Sequence, residues 1–482
     1  MPQGNRLVSG IVSAMDTKTV DIIGAGLAGT EAALQLAQRG IAVRLFEMRP
    51  LVQTDVHRSG NAAELVCSNS LKSTKPDSAA GMLKHELATL GSHLISFANE
   101  TRVAAGGALA VDRDLFSGRA TKALEESSLV TRVNAEVVGL GPAGEVLVAG
   151  KGGDVHAPFE PADAVVVASG PLTSDRLAFF MQGLTGQDHL AFYDAAAPVV
   201  MADSLDRSKI FSQSRYEDGG GDYLNASFNK EEYEHFMEEL VGAERVIKRE
   251  FETTDLFQAC QPIEEVARRG FDAPRFGPLK PVGLTDPATG RRPWAVVQLR
   301  AEDAHGQSFN LVGFQTNLTF PEQKRVFRMI PGLENAEFAR YGVMHRNSFI
   351  DAPHLLDRTL RLRSDAAAAL GTPVFVAGQF GGTEGYCEAI ASGLYAALGV
   401  SALLKGEEPP MLPEETAFGA LVAYATNPET IDYQPMHVNF GIMAPFVPKI
   451  RNKRERYAAY ASRGDGALQK YVGELQEKGL IA

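Results

Sequence analysis

The apolar and polar positions near the start of the chain predict a strand, a glycine-rich turn, a helix and a second strand. Residues 20–23 are apolar at three of four positions, and the six residues GAGLAG follow directly. Apolar residues then recur at helical spacing over 30–39, and Gly40 ends that pattern. Residues 41–46, IAVRLF, form the second predicted strand, which ends at Glu47. This order is typical of the first β–α–β unit of a dinucleotide-binding domain.

The glycine-rich turn has the GxGxxG spacing that holds a pyrophosphate. Gly24 permits the tight turn, Gly26 lets a phosphate approach the backbone, and Gly29 lets the helix pack closely on the strand. The start of the helix offers N–H donors and the positive end of its dipole. Glu47 is expected to accept hydrogen bonds from the ribose hydroxyls of an adenosine. The predicted cofactor contacts of this unit are therefore Gly24, Ala25, Gly26, Leu27, Ala28, Gly29 and Glu47.

Two later apolar segments end at glycines and favour FAD over NAD. Residues 164–169, AVVVAS, lead into Gly170, and residues 374–377, VFVA, lead into Gly378. A helix is predicted to start around 385–388 and to continue through Leu394. In flavoproteins with two dinucleotide-binding folds, a late strand ending in Ala-Gly brings backbone and a helix N-terminus to the flavin. We therefore predict an FAD-binding domain that is built from both ends of the chain.

The middle of the chain lacks regular β–α–β units. Between about 205 and 340, helical patterns such as 230–240 mix with strands such as 294–299 and 310–314. We predict an α/β protein: a Rossmann-like FAD-binding domain of the two-dinucleotide-binding-fold type with an inserted α+β domain. The predicted parts are an N-terminal extension (1–17), the first part of the FAD-binding domain (18–204), the inserted domain (205–340) and the second part with a basic helical end (341–482).

Composition and charge narrow the class of protein. The 482 residues are 45% hydrophobic and 22% charged, as in ordinary globular chains, which excludes a wholly disordered or coiled-coil protein. A net charge of −12 argues against indiscriminate nucleic-acid binding, although a local basic face can sit on an acidic body. Residues 449–456, KIRNKRER, carry five positive charges and one negative charge. That run fits either a solvated helix face or a patch that contacts phosphates.

Targeting signals, disulfides and metal sites are not expected. No apolar run approaches the ~18–20 residues that span a bilayer, and the first 15 residues are too weakly apolar for a signal peptide. We expect a cytoplasmic protein that does not associate with membranes, in which residues 1–14 are an extension or a misassigned start. Three cysteines are too few for a disulfide framework, and they lack the paired CxxC spacing of a zinc site. Cys387 lies among apolar helix residues, which indicates packing.

Long motifs in a fixed order resemble the folate- and FAD-dependent tRNA (uracil-5-)-methyltransferase family. The resemblance extends from about Val20 to Tyr471, nearly the whole chain. The matching stretches are VDIIGAGLAGTEAALQLAQRGIAVRLFEMRP (20–50), AELVCSNSLK (63–72), AAGGALAVDR (104–113), FYDAAAPVV (192–200), FGPLKPVGL (276–284), YGVMHRNSFI (341–350), QPMHVNFGI (434–442) and KIRNKRERY (449–457).

The resemblance implies a specific reaction. The family makes 5-methyluridine in the T-loop of tRNA, with carbon from 5,10-methylenetetrahydrofolate, reducing equivalents from FAD, and NADPH or NADH to reduce the flavin. Uracil C5 becomes nucleophilic only after a group adds to C6, a step that suits a thiolate. A second group must then remove the C5 proton. By their motifs, the family's two functional cysteines fall on Cys67 and Cys260; the division of roles stays open, with Cys260 favoured as nucleophile.

The resemblance also places reduced flavin between folate and uracil. Tyr386 is our candidate for stacking on the flavin, and the alternative is a tyrosine that only caps a helix. The predicted contacts in this late segment are Gly378, Gln379, Gly385 and Tyr386. Further basic candidates, each with an ordinary structural or surface role as the alternative, are His345 and Arg346 for the cleft and Lys280, Arg291 and Arg292 for folate glutamate or tRNA phosphate.

Three other functions share parts of this pattern. An NAD(P)H-dependent FAD oxidoreductase acting on a small molecule would need neither Cys67 nor Cys260. A FAD-dependent modifier of the tRNA wobble uridine works with a GTPase partner and fits the motifs less well. A non-catalytic folate- or RNA-binding flavoprotein is the third. Ala226 stands where family members often carry another cysteine, so that position is not required. No obligate protein partner is inferred.

Overall fold

The computed structural model describes residues 18–54, 56–150, 152–186, 190–216, 221–247, 261–365, 367–430 and 433–481. Cys260 and the predicted extension 1–17 lie outside the described residues. The strands of the described part are β1 (Thr19–Ile23), β2 (Ala42–Glu47), β3 (Ser70–Ser73), β4 (Arg102–Val103), β5 (Ala108–Val111), β6 (Val130–Asn134), β7 (Val137–Leu140), β8 (Val146–Ala149), β9 (Val155–His156), β10 (Ala164–Val167), β11 (Leu190–Ala195), β12 (Val199–Met201), β13 (Ile210–Ser212), β14 (Tyr223–Phe228), β15 (Ala295–Ala301), β16 (Ser308–Leu311), β17 (Phe338–Arg340), β18 (Met344–Phe349) and β19 (Val374–Val376).

The helices of the described part lie between and after these strands. They are α1 (Leu27–Gln38), α2 (Ala79–Thr89), α3 (His93–Glu100), α4 (Arg113–Glu126), α5 (Asp175–Thr185), α6 (Lys230–Gly242), α7 (Ile263–Arg268), α8 (Ala273–Phe276), α9 (Phe320–Phe327), α10 (Ala352–Leu355), α11 (Tyr386–Leu404), α12 (Ala417–Ala425) and α13 (Lys453–Glu477). Helix α1 begins three residues before the predicted 30–39, because Gly26 already caps it and the last three residues of GAGLAG are helical.

A five-stranded parallel sheet carries the predicted dinucleotide-binding unit. Its strand order is β19-β10-β1-β2-β6, and every neighbouring pair runs parallel. The residues of β10 and β19 are all fully buried, as expected for a sheet covered on both faces. Since β19 pairs with β10 across some 200 residues of chain, the sheet needs both ends of the sequence. The predicted fold class is thereby confirmed.

Helices α1 and α11 pack against each other beside this sheet. A Cβ at Gly393 would collide with the carbonyl oxygen of Ala28, so only glycine allows this approach. Contrary to the expectation from apolar runs, α11 is long and apolar enough to cross a membrane by length and composition alone. However, 83% of its apolar window is buried inside the fold, which fits a core helix. The close packing places the N-terminus of α1 against Gly393, which lies inside α11 and not at its start.

The central part of the chain has a sheet and a hydrophobic core of its own. The six-stranded sheet has the order β13-β14-β15-β16-β12-β17, and all its pairs are antiparallel. Its core residues run from Val200 to Ala336, whereas the main core stops at Met181 and resumes at Phe349. The chain crosses from one core to the other twice, in β11 and in β18, and these two strands pair antiparallel. The predicted boundaries at 204/205 and 340/341 stay a prediction.

Candidate active site

A two-lobed cleft lies where the parallel strands end. The smaller lobe has a volume of about 70 Å³ and the larger lobe about 260 Å³. Four residues line both lobes, which makes the cleft continuous: Gly26, His57, Ser169 and Leu172. In open α/β sheets, ligands bind outside the carboxyl ends of the strands. This cleft occupies that position.

The three glycines of the glycine-rich turn have different surroundings: two are crowded by backbone atoms, and one borders the cleft. Gly24 has φ +102°, and a Cβ there would lie 2.6 Å from the Ala168 carbonyl oxygen. A Cβ at Gly29 would collide with the Gly24 carbonyl oxygen. By contrast, a Cβ at Gly26 would meet no atom within 4 Å. Gly26 therefore leaves open space at the N-terminus of α1, where a phosphate can approach the backbone.

Glu47 ends β2 and lines the smaller lobe with its neighbour Arg49. Its side chain is buried, and it accepts hydrogen bonds from the Ala25 N–H (2.9 Å) and from Arg49 Nε (2.8 Å). Burial alone would raise the pKa of Glu47, but the hydrogen bonds and charge of Arg49, with the Ala25 N–H, lower it overall. Glu47 is thus a fixed anion that connects the glycine-rich turn to β2. Its ion-pair partner, Arg49, was not predicted from the sequence.

The late segment lines the larger lobe. Gly378 (φ +77°) and Gly385 (φ +116°) adopt left-handed conformations, and Gly385 caps α11. The side-chain Nε2 of Gln379 is buried with no hydrogen-bond partner among the described residues. A buried amide donor without a protein partner calls for an acceptor on a ligand. With two helix N-termini and the open space at Gly26, the cleft fits a dinucleotide cofactor.

Tyr386 connects α11 to the segment that carries Cys67. Its hydroxyl oxygen accepts hydrogen bonds from the backbone N–H groups of Cys67 (2.8 Å) and Ser68 (3.0 Å). Burial, and then the nearby charge of Cys67, raise the pKa of Tyr386 above its ordinary value of 10, so the hydroxyl stays protonated. Tyr386 also lines the larger lobe. Tyr386 is the first residue of α11, after the cap Gly385, and its hydroxyl positions the segment that carries Cys67. Its stacking on a flavin stays a prediction.

Cys67 is half-buried and lines the same lobe. Its Sγ donates to the carbonyl oxygen of Ala195 at 3.6 Å, where β11 ends. Because the thiol is the donor in this contact, Cys67 must give up the contact with Ala195 before it can act as a thiolate.

Three arginines hold the segment around Cys67. Arg113 donates to the carbonyl oxygens of Leu65 (2.9 Å) and Cys67 (3.4 Å), and Arg340 donates to that same Cys67 oxygen (3.4 Å). Arg300 donates to the side chains that follow, Asn69 and Ser68, at 2.8 Å each. Arg300 and Arg340 come from β15 and β17 of the central sheet. None of these three arginines was predicted from the sequence as a site residue.

Burial lowers the pKa of one arginine of this cluster, Arg340, without removing its charge at pH 7. Burial, and then the neighbouring Arg113, lower the pKa of Arg340 to about 10, so the guanidinium is still a cation at pH 7. Arg113 is balanced by Glu302, with Nε and Oε2 2.6 Å apart. Arg113 and Arg340 thus place positive charge beside the segment that carries Cys67, which suits a thiolate during a reaction there.

Other sequence candidates take different places. Cys387 also lines the larger lobe, but its side chain is buried and its Sγ donates to the Leu71 carbonyl, consistent with packing. Burial raises the pKa of its thiol to about 11. Cys260 lies outside the described residues, as do the side chains of His345 and Arg346. Among the described residues, no group of three His, Cys, Asp or Glu side chains could hold a metal ion. Three of the basic candidates are exposed on the surface and lie outside the lining of the cleft: Lys280, Arg291 and Arg292.

Comparisons with known proteins connect the cleft to a family. Residues 19–408 match the sequence profile of the family described as glucose inhibited division protein A. The methylenetetrahydrofolate–tRNA-(uracil-5-)-methyltransferase TrmFO of Heliobacterium modesticaldum is 50% identical over 456 residues, covering 95% of this chain and 98% of that protein. The protein of the same name from Geobacter sulfurreducens is 51% identical over 461 residues, covering 95% and 100%.

Solved structures support the fold. GidA of Aquifex aeolicus, in its form I crystal, superposes with a TM-score of 0.68 at 17% identity, covering 97% of this chain and 77% of that one. The form II crystal gives a TM-score of 0.67, also at 17% identity, and covers 97% and 74%. At this identity the likeness concerns the arrangement of the chain and not its chemistry.

Proposed function

The chain belongs to the methylenetetrahydrofolate–tRNA-(uracil-5-)-methyltransferase family, and from this premise we propose how its cleft carries out the reaction. The substrate is the T-loop uridine of tRNA, methylated at C5 with carbon from 5,10-methylenetetrahydrofolate. FAD is the cofactor, and NADPH or NADH is the reductant. The observation that supports this reaction is the placement of Cys67, a half-buried thiol, in the lobe lined by the N-termini of α1 and α11.

The two lobes divide the contacts that would hold FAD. Gly26, with the first N–H groups of α1, suits the diphosphate, and Glu47 in the smaller lobe suits the adenosine ribose. In the larger lobe, the unpartnered Gln379 amide and the N-terminus of α11 at Gly385 would hold the flavin. When bound and reduced, FAD supplies the hydride and relays the one-carbon unit.

The cysteines would act on the uracil ring. The Cys260 thiolate adds to C6, forming an S–C6 bond and moving the C5=C6 electron pair into an enolate, so that C5 can attack the one-carbon unit. The Cys67 thiolate takes the C5 proton; the electron pair of that C–H bond forms a double bond from C5 to the exocyclic carbon, as the bond between that carbon and its carrier breaks. Hydride addition to the exocyclic carbon would then complete the methyl group, return the electron pair to C5=C6 and expel the Cys260 thiolate from C6. The assignment of Cys260 rests on the family resemblance.

Cys67 suits the proton-removing role for two reasons on its own side of the cleft. It lines the lobe in which C5 would receive its carbon, and Arg113 and Arg340 supply positive charge near the thiolate. Tyr386 stays protonated and holds the Cys67 and Ser68 backbone in place. The proton leaves from C5 and ends on the Cys67 sulfur, which restores the thiol found beside Ala195.

A tRNA substrate fits a cytoplasmic location, and we propose that the reaction needs no obligate protein partner. The basic residues of 449–456 are mostly exposed and lie at and before the start of α13. They are one candidate surface for tRNA phosphates on a protein of net charge −12.

The reaction can be tested with purified protein, FAD, NADPH, methylenetetrahydrofolate and an unmodified tRNA transcript. We expect folate-dependent 5-methyluridine at the T-loop uridine, lost in both Cys67→Ala and Cys260→Ala. Cys387→Ala is the matched control in the same lobe: its thiol is buried and donates to the Leu71 carbonyl, so we assign it no step and expect the product to remain. NADPH oxidation with no tRNA product would instead support the small-molecule oxidoreductase.

A further inference from the structure

The larger lobe contains a buried carboxylate that the mechanism above does not use. Glu388 lies in the first turn of α11, its side chain is 1% exposed, and it lines the lobe. Its Oε1 accepts the Val438 N–H at 3.2 Å and lies 3.8 Å from Lys72 Nζ. Its Oε2 has no hydrogen-bond partner among the described residues. A buried acceptor left without a donor is costly, so this oxygen indicates a donor supplied by a ligand.

The charges around Glu388 fit a neutral ligand. The first turn of a helix stabilises an anion, and Lys72 supplies a positive charge. Burial and the charge of Lys72 lower the pKa of His437 below its ordinary 6.5, so this imidazole is neutral at pH 7. One carboxylate and one ammonium balance each other. The free oxygen therefore suits an uncharged hydrogen-bond donor.

Three planar rings enter this cleft according to the proposed function: flavin, uracil and the pterin of folate. Flavin and uracil each present one N–H between two carbonyl oxygens, so a carboxylate would meet a donor flanked by repelling acceptors. The 2-amino-4-oxopyrimidine edge of a pterin presents N3–H directly beside the 2-amino group. Two adjacent donors match the two oxygens of a carboxylate, each of which can accept more than one hydrogen bond.

We propose that Glu388 recognises the 2-amino-4-oxopyrimidine edge of the folate pterin and makes the larger lobe selective for reduced folates. The inference rests on the proposed function, because it takes folate as the carbon donor. Lys72 holds the carboxylate in place from the cleft side, and the Val438 N–H holds it from the 434–442 segment. Glu388 thus determines specificity and takes no part in the proton transfers assigned to the thiols.

The test compares the binding of two ligands that cannot transfer carbon. Tetrahydrofolate and its 2-desamino analogue are titrated calorimetrically, without oxygen, into FAD-loaded wild type, Glu388→Gln and Glu64→Gln. Glu64 is the matched control: its carboxylate lines the same lobe, but its oxygens accept from the Arg58 N–H (2.8 Å) and Ser59 Oγ (2.7 Å). Flavin absorbance reports the FAD content of each variant.

We expect wild type to bind tetrahydrofolate about ten- to a hundredfold more tightly than the analogue, the range of a hydrogen bond to a charged group. Glu388→Gln should lose most of this ratio, whereas Glu64→Gln should keep it. Should Glu388→Gln fail to fold, Glu388→Asp keeps the charge with a shorter reach, and its ratio should be intermediate.

The outcomes separate this inference from the proposed function. Wild type that does not bind tetrahydrofolate at all contradicts the proposed function. Wild type that binds it, with an unchanged ratio in Glu388→Gln, overturns the inference alone. A Glu388→Gln protein that loses FAD while keeping the ratio also overturns it, since Glu388 then contacts the flavin.

Discussion

The hydroxyl of Tyr386 accepts the backbone N–H of Cys67, at 2.8 Å, across 319 positions of sequence. Helix α11 begins at Tyr386, so this bond joins the helix that faces the cofactor to the segment that carries the thiol. The second bond, from the Ser68 N–H, fixes the direction of that segment. The position of the thiol therefore depends on the position of α11.

Tyr386→Phe removes this acceptor and keeps the ring. The N–H groups of Cys67 and Ser68 lose their partner, which costs about 1–3 kcal/mol of unfolding free energy per buried group. We expect at least a tenfold loss of methylation rate with FAD content unchanged. Urea unfolding, flavin absorbance and the tRNA assay measure the three quantities.

Tyr395→Phe is the control for a lost hydroxyl. Tyr395 lies on the same helix, and its hydroxyl donates to the Arg358 carbonyl oxygen at 2.9 Å, outside the lining of the cleft. This variant should lose stability but keep its turnover rate. Equal loss of rate in both variants would show that Tyr386 acts through stability alone.

Much of the fold was predictable, because the signals were local. The GAGLAG turn, the buried strands β10 and β19, and the start of α11 each occupy a few consecutive residues. The apolar length of α11 as far as Leu404 was not predicted, because small and polar residues such as Ser392 interrupt its apolar run. Its burial against α1 depends on Gly393, whose partner Ala28 lies far away in the sequence.

The site was predictable only where side-chain type carries the chemistry. Cys67 and Glu47 stood out as a thiol and a carboxylate in recognisable motifs. The arginine cluster did not, because Arg113 and Arg340 bind backbone carbonyl oxygens, which any residue supplies. Such contacts leave no pattern in a single sequence, and only the three-dimensional structure brings them together.

Arg340→Met tests the electrostatic role of the arginine cluster. The substitution removes a cation and its bonds to the Val66 and Cys67 carbonyls, so the Cys67 thiolate loses stabilisation. We expect alkylation of Cys67 by iodoacetamide to need a higher pH, with Arg340→Lys restoring part of the shift. Peptide mass spectrometry follows Cys67 separately from the other cysteines.

Arg328→Met is the matched control for Arg340→Met. Arg328 also donates to a backbone carbonyl, that of Ala336, at 2.8 and 3.1 Å. Since this carbonyl lies outside the Cys67 segment, the pH profile of Cys67 should not move. An equal shift in both variants would indicate a general loosening of the central sheet.

Gly26→Ala separates cofactor binding from folding. A Cβ at Gly26 meets no atom within 4 Å, so the protein should fold with an unchanged melting temperature. The added methyl group lies where a diphosphate approaches the backbone, so FAD affinity should fall at least tenfold. Gly183→Ala, at another open position in α5, should leave FAD affinity unchanged. Wild-type FAD affinity in Gly26→Ala would place the diphosphate elsewhere.

Two buried glutamates make stability depend on pH. Burial raises the pKa of Glu86 to about 7, more than the N–H groups of Ala417 and Phe418 lower it, and burial likewise raises that of Glu264 to about 7. A carboxyl whose pKa is higher in the folded state binds its proton more tightly there. Its contribution is complete below the unfolded pKa of 4.5 and is lost as pH rises through 7.

We therefore expect the unfolding free energy to fall between about pH 5 and pH 8, by up to about 3 kcal/mol for each glutamate. Urea unfolding at a series of pH values measures this slope. Glu86→Gln should remove the contribution of Glu86 to this pH dependence, and Glu264→Gln should remove that of Glu264. The two contributions are separate, because Glu86 is buried in the FAD-binding part and Glu264 in the central part of the chain. Exposed Glu415→Gln is the control and should leave the slope unchanged. A slope of the opposite sign would mean that both carboxylates remain ionised in the folded protein, held by the N–H groups they accept from.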